Sequence, residues 1–157
     1  MSELTADLFD EHGDALLICE APLRNFGGRA RFHGLIRTVR CHEDNALLKR
    51  VLGEAGQGKV LVVDGGGSLH RALMGDNVAT IAARSGWSGV VIFGAIRDSA
   101  AIAGIDIGVK ALGTMPRSPR KTGAGEPDVP VKFGGIEFKP GAHLYSDEDG
   151  LVVVPAT

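Results

Sequence analysis

Two short stretches of this sequence combine residue types that grip and polarise small oxyanions. Arg97 and Asp98 stand side by side just after the apolar run Val90-Val91-Ile92-Phe93. Arginine offers a planar fork of N–H donors matched to a carboxylate. Aspartate is a hard oxygen ligand suited to magnesium or manganese. Earlier in the chain, Gly75-Asp76-Asn77-Val78 opens a helical pattern that continues with Ile81 and Ala82. The first turn of a helix carries N–H groups without intrahelical partners and the positive end of the dipole, so it welcomes a carboxylate or phosphate. Each stretch also has a plain structural explanation. Arg97 and Asp98 could form a salt bridge, with Asp98 capping a helix over Ser99 to Ala103. Asp76 could cap its own helix, hold a metal-bound water, or take part in proton transfer. Gly65-Gly66-Gly67-Ser68 could add further backbone N–H groups to the same cradle.

Other chemistries find less footing. The glycine loop is neither G-x-G-x-x-G nor a loop ending in Gly-Lys-Ser/Thr, so nucleotide binding is disfavoured. Ser68 lacks the G-x-S-x-G elbow of a hydrolase. Cys19 and Cys41 have no CxxC spacing and read as buried free thiols. The histidines at 12, 33, 42, 70 and 143 do not cluster along the chain and read as structural or surface residues. Asp64 closes a strand and fixes the glycine loop. Glu43 and Asp44 read as first-turn charges of a helix, and Glu126 and Asp128 as solvated loop residues.

The elements that must carry these groups follow from hydrophobic spacing. Thr5 to His12 is weakly helical, with Thr5 as a candidate cap. Ala30 to Cys41 reads as a pair of strands broken at Gly34. A helix beginning at Asp44 or Asn45 carries Leu47, Leu48, Val51 and Leu52 on one stripe and ends at Gly53. Val60 to Val63 and Val90 to Phe93 are continuous apolar runs, the pattern of central strands buried on both faces. Leu69 to Leu73 reads as a short helical turn, and Ile107 to Leu112 as a third strand. Successive strand–loop–helix units predict an α/β core with parallel pairs. The last third is β-rich: Gly134-Gly135 between Val129–Phe133 and Ile136–Phe138 signals a hairpin, and His143–Ser146 with Leu151–Val154 a second. Between core and hairpins, Met115 to Asp128 reads as a long polar loop. Ligands of open α/β sheets bind beyond the carboxyl ends of the strands, which is where both chemical stretches lie.

With 157 residues, 44% of them hydrophobic, and no linker or repeat, the chain reads as one domain, 1–157, with an ordinary core. The net charge of −2, with Arg117, Arg120 and Lys121 as the only short basic stretch, argues against direct nucleic-acid binding. An acidic N-terminus and short apolar runs point away from a signal peptide or membrane span, toward the cytoplasm.

Taken together, these stretches resemble the RraA-like family, which includes the regulator of ribonuclease E activity and the class II 4-hydroxy-4-methyl-2-oxoglutarate aldolases. The resemblance covers almost the whole chain. It rests on Asn25-Phe26-Gly27-Gly28-Arg29, Glu43-Asp44-Asn45, Leu61–Ser68, Gly75-Asp76, Gly94-Ala95-Ile96-Arg97-Asp98, Asp106-Ile107-Gly108, Phe133-Gly134-Gly135 and Asp147-Glu148-Asp149-Gly150. It implies a β/β/α domain similar to the phosphohistidine swivelling domain, assembled as a homotrimer. It also implies a site in which the backbone of Gly75, Asp76, Asn77 and Val78 holds a substrate carboxylate and Arg97 clamps the same pyruvyl end. Asp98 would anchor a divalent metal, Mg2+ or Mn2+, mostly through water, with Asp76 ordering metal waters. Two functions follow from the resemblance. One is a metal-dependent lyase that cleaves a small 4-hydroxy-2-keto acid to pyruvate and decarboxylates oxaloacetate, without a site lysine. The other is a regulator that binds a ribonuclease E-type protein partner. Longer aldolases of the family carry a C-terminal extension that brings an acidic residue to the neighbouring subunit. This sequence stops at Thr157, which points to weaker aldol turnover.

Overall fold

The apolar runs do become central strands. The computed structural model describes residues 2–156. In chain order its elements are α1 (Thr5–His12), β1 (Leu17–Ile18), β2 (Arg24–Asn25), β3 (Phe32–Arg40), α2 (Ala46–Leu52), β4 (Val60–Asp64), β5 (Ala72–Met74) and α3 (Asp76–Arg84). There follow β6 (Gly89–Ile96), α4 (Ser99–Ile102), β7 (Gly108–Thr114), β8 (Glu126–Pro127), β9 (Val131–Phe133), β10 (Ile136–Phe138), β11 (His143–Ser146) and β12 (Leu151–Val154). β3, β4, β6 and β7 lie side by side and run parallel. Antiparallel β11, β12 and β1 extend the sheet beyond β3, and β2 closes the edge beside β7.

Alternation along β4 builds two cores from one strand. Leu61 and Val63 join Leu47, Leu48, Val51, Val78 and Ala79 under helices α2 and α3. Val60 and Val62 point the other way, onto Phe133 and Phe138 of the β9–β10 hairpin. These four apolar side chains of β4 are fully buried, each worth about 1.5–3 kcal/mol relative to exposure. Gly134 and Gly135, at φ +61° and +83°, supply the turn that lets the hairpin fold over the sheet. Phe32 needs a different allowance from its neighbours. Its ring lies across Gly89 and Gly108, paired in register on β6 and β7, where an added Cβ would come within 2.3 and 2.1 Å of ring carbons.

Short strand β5 is what sets up the site. β4 follows β6 only as far as Asp64 opposite Phe93, and β5 then takes over beside Ala95 and Ile96. The chain therefore leaves β5 into Gly75 next to where it leaves β6 into Arg97. The Arg97 amide donates to the Met74 carbonyl at 2.9 Å and locks the two exits together.

Several local expectations give way to longer-range pairing. Phe32 to Arg40 is one unbroken strand, because Gly34 pairs with Leu144 instead of turning. The expected helical turn at Leu69 to Leu73 is instead a loop leading into β5, since Ala72, Leu73 and Met74 are all buried as a sheet segment. The long polar loop contains β8, paired with Val39 and Arg40 of β3. Thr5 does not cap α1. Its amide and hydroxyl both donate to buried Asp147, at 2.7 and 2.8 Å. Trp87 is core, its indole N–H shared between the carbonyls of Leu52 and Glu54. Among the described residues no helix is long and apolar enough to cross a membrane.

Candidate functional site

At the carboxyl ends of the parallel strands lies a cleft of about 650 Å³. Gly75, Asp76, Asn77, Val78, Arg97 and Asp98, the six residues singled out in the sequence, all line it. Their convergence follows from the paired exits of β5 and β6. Asp98 takes the left-handed conformation, φ +57° and ψ +40°, which aspartate tolerates better than most residues. That turn aims its carboxylate away from α4, so the expected cap on Ser99 to Ala103 is not made by its side chain. Instead Asp98 Oδ2 accepts the first amide of α3, from Asp76, at 3.1 Å. Gly75 makes room for this contact, for a Cβ there would lie 2.5 Å from Asp98 Oδ2.

The rest of the cleft is chemically unspent. Arg97 makes no ion pair with Asp98 or any other carboxylate among the described residues. Its Nη1 reaches only the Pro116 carbonyl, at 3.4 Å. The amides of Asn77 and Val78, next in the first turn of α3, have no backbone acceptor among the described residues. Asp98 Oδ1 is likewise free of hydrogen bonds among those residues. An unpaired guanidinium, two helix N-terminal amides and one open carboxylate oxygen thus face the same space. Together they can take a carboxylate on one side and a hydrated cation on the other.

Lys49, Arg50 and Lys121 also line the cleft, so the expectation that no lysine lies at this site is corrected. The basic stretch Arg117, Arg120 and Lys121 was the one signal pointing there. Its meaning depends on how the polar loop is held. Asp44, 3% exposed, accepts the Thr122 amide at 2.8 Å, the Thr122 hydroxyl at 2.5 Å and the Gly123 amide at 3.1 Å. Another bond comes from the Ala46 amide at 3.2 Å. Burial alone would raise the Asp44 pKa, but these hydrogen bonds outweigh it and hold the carboxyl below its usual range. Asp44 is therefore the anchor that swings Lys121 over the cleft, more than a first-turn charge.

The glycine loop does not contribute the expected cradle. The Gly66 amide is spent on Asp64 Oδ1 at 2.9 Å, as a fixing role for Asp64 requires. The Gly65 and Gly67 amides go to the Phe93 carbonyl, and the Ser68 amide to Gly65. The Ser68 hydroxyl donates to Glu43 at 2.8 Å. Glu43 thus serves the loop; it is no helix charge, and this hydrogen bond lowers its pKa. Nor are Glu126 and Asp128 simply solvated. They pair with Arg40 at 3.5 Å and Arg37 at 3.2 Å. The pKa of the buried Cys41 thiol is pushed up to about 12 by burial and by Asp44 and Asp64, which disfavours the thiolate. Two histidines far apart in sequence do meet on β3 and β11, with His33 Nδ1 at 2.9 Å from His143 Nε2, but neither lines the cleft.

Comparison with known proteins agrees with this architecture. Residues 5–153 match the RraA-like family, described as Aldolase/RraA. The chain belongs to the RraA-like family. This RraA-like chain is similar to a solved Geobacillus kaustophilus HTA426 protein described as S-adenosylmethionine:2-dimethylmenaquinone methyltransferase. The TM-score is 0.94 and the identity 49%, with 96% of this chain and 93% of that one covered. It is equally similar to the RNA-processing inhibitor RraA from Thermus thermophilis, with a TM-score of 0.94 and 48% identity over 99% of this chain and 94% of that one. RraAS2 from Streptomyces coelicolor, described as an unusual member of the RNase ES inhibitor RraA protein family, gives a TM-score of 0.79 at 29% identity, covering 99% and 81%. The RraA-like α/β fold expected from the sequence is the fold these proteins share.

Proposed function

We propose that this RraA-like protein is a divalent-metal-dependent lyase. It cleaves 4-hydroxy-4-methyl-2-oxoglutarate or a related 4-hydroxy-2-keto acid to pyruvate, and decarboxylates oxaloacetate. The observation that carries the reading is the unpaired Arg97 guanidinium, facing a cleft beside two free amides of α3 and the half-open Asp98 carboxylate.

Among the described residues, no three His, Cys, Asp or Glu side chains converge as a metal cage. What the cleft offers is one oxygen of Asp98, with Asp76 brought beside it by the hydrogen bond from its amide. Such a site suits a hard cation that keeps most of its own water, as magnesium does. Bound there, magnesium or manganese supplies Lewis-acid polarisation of the 2-keto oxygen. Arg97 grips the pyruvyl carboxylate, and the Asn77 and Val78 amides add two neutral donors at the positive end of α3. As the C3–C4 bond breaks, negative charge grows on the pyruvyl half. Arg97, Lys121 and the helix dipole stabilise that charge without having to reorganise. Asp76 holds a water that takes the proton of the 4-hydroxyl as C4–O becomes a carbonyl, and a proton is then returned to C3 through the same water. Asp98 is kept in place by the Asp76 amide.

The test is a lactate dehydrogenase-coupled pyruvate assay with each keto acid, with metal and with excess chelator, corrected for metal-only decarboxylation. Arg97→Ala and Asp98→Ala should each lower the rate by about 10²–10³-fold, the usual cost of one well-placed electrostatic group. An unchanged metal-dependent rate in Asp98→Ala refutes this assignment.

The 48% identity to an RNA-processing inhibitor favours a second reading, a regulator that binds a ribonuclease E-type enzyme. Wild type releasing no pyruvate above the metal control, yet inhibiting purified ribonuclease E, would put this reading first. Methyl transfer is not proposed. The loop after β4, where a nucleotide-type cofactor would sit in an open α/β sheet, spends its amides internally.

A further inference from the structure

The cleft does not end at the pyruvyl grip. α2 is seven residues long, about 10 Å of helix, and Ala46 and Gly53, at its two ends, both line the cleft. A cleft of about 650 Å³ lies within the usual range for small-molecule sites and has room for a chain longer than a three-carbon unit. Arg97 and the amides of α3 account for one end of such a chain. The groups along α2 define what the other end can be.

Lys49 and Arg50 are those groups. They stand in the last turn of α2, and both line the cleft. Neighbouring helix residues point about 100° apart, so α2 turns the edge between these two toward the cleft. The helix dipole favours a cation at this terminus, but it does not require two of them on the cleft side. Neither has an ion or side-chain hydrogen-bond partner among the described residues, whereas Arg29, Arg31, Arg37 and Arg40 are each paired with a carboxylate. Glu54, the carboxylate that lines this end, is held by Arg37 at 3.1 Å. Two cations are therefore left without an internal counter-charge. The lining is apolar at Ala46, Val78, Ile81 and Pro119. An anion grip, an apolar lining and a second anion grip suit a short hydrocarbon chain with a carboxylate at each end.

We propose that Lys49 and Arg50 are the specificity-determining residues of the cleft. They grip a second carboxylate at the far end of the substrate and select keto diacids over keto acids with a neutral tail. The inference rests on the keto-acid reading of the cleft, which places the pyruvyl end at Arg97, and it gives neither residue a part in bond cleavage.

The experiment compares keto acids matched in length that differ at the tail alone: 2-oxoglutarate with 2-oxopentanoate, and 2-oxoadipate with 2-oxohexanoate. None carries a 4-hydroxyl, so none undergoes aldol cleavage, and binding is read directly by calorimetry on the intact protein with magnesium present. At least one diacid should bind about 10-fold or more tightly than its neutral-tail partner. Lys49→Met and Arg50→Met should each cut that preference by about 3–10-fold, the range for an exposed charge-assisted contact, and the double variant should bring it close to one. Both side chains are exposed, so their loss leaves the packing of α2 intact. Lys132→Met, on β9 and outside the cleft, controls for net charge and should keep the wild-type preference. Backbone NMR shifts at Lys49 and Gly53 should move with the diacid and not with its partner. The proposal is overturned if the two tails bind alike, if the preference survives in the double variant, or if those amides stay still. The pyruvate assay keeps this outcome apart from the lyase reading. A wild type that favours diacids but cleaves no 4-hydroxy-2-keto acid supports the tail assignment and refutes the lyase. One that cleaves these acids but binds both tails alike does the reverse.

Discussion

Gly75→Ala isolates the geometry of the cleft with a single methyl group. The backbone at Gly75 is extended, φ −119° and ψ −166°, so alanine is sterically allowed there. The added Cβ has one severe neighbour, Asp98 Oδ2 at 2.5 Å, while Arg97 Cγ stands at an ordinary 3.5 Å. Relief requires the Asp98 carboxylate to retreat by about 1 Å to reach normal van der Waals distance. Its 3.1 Å bond from the Asp76 amide cannot survive that. Stability should fall by about 1–3 kcal/mol, from the lost bond to a charged acceptor and a poorer N-cap residue. Activity should fall further. A displacement of about 1 Å in a catalytic group costs on the order of 10²-fold in rate, and the apparent metal requirement should rise with it. Pyruvate release as a function of magnesium concentration, paired with a urea melt, separates the two effects. Gly104→Ala is the control, because its Cβ would meet nothing nearer than the Ala101 carbonyl at 3.6 Å. If Gly75→Ala keeps the rate and metal dependence of wild type, the link between Gly75, Asp98 and function is wrong.

Asp44→Asn should cost about 2–3 kcal/mol in urea unfolding, since an amide cannot accept all the bonds from Ala46, Thr122 and Gly123. It should also raise KM for an anionic substrate more than it lowers kcat, by freeing Lys121. Asp44 and Asp147 both have pKa values held down by hydrogen bonds despite burial. Their stabilisation is therefore full above the unfolded aspartate value of about 3.9 and lost as pH falls through their folded values. Urea midpoints measured at decreasing pH should drop in that acid window, and less so in Asp44→Asn. A homotrimer is expected from the family. Light scattering giving a monomer mass would rule it out.

What could be read from the sequence, and what could not, divides along the range of the interaction involved. Val60 to Val63 and Val90 to Phe93 announce buried strands because burial on both faces leaves a mark in consecutive residues. Gly134-Gly135 announces its hairpin because the turn itself demands positive φ. The exit into Arg97 was recognisable as a strand-to-helix junction, and Gly75-Asp76 as the start of a helix, for the same local reason. Their meeting was not, because it depends on β5 replacing β4 alongside β6, and a three-residue strand has too little pattern to be told from a helical turn. Asp98 shows the same limit at the scale of one side chain. Aspartate before a helix reads as its cap, and only the left-handed backbone at Asp98 turns it toward α3. Lys121 is the sharpest case. A lysine in a proline- and glycine-rich loop looks solvated, and its basic neighbours Arg117 and Arg120 do not say which surface it faces. Its place over the cleft is decided by Asp44, far upstream, whose carboxylate holds Thr122 and Gly123. The loop is ordered by a buried acceptor contributed from the segment just after β3, so the charge of the cleft is set by a residue that does not line it. Changing Asp44 should therefore alter anion affinity without touching any group that contacts the anion.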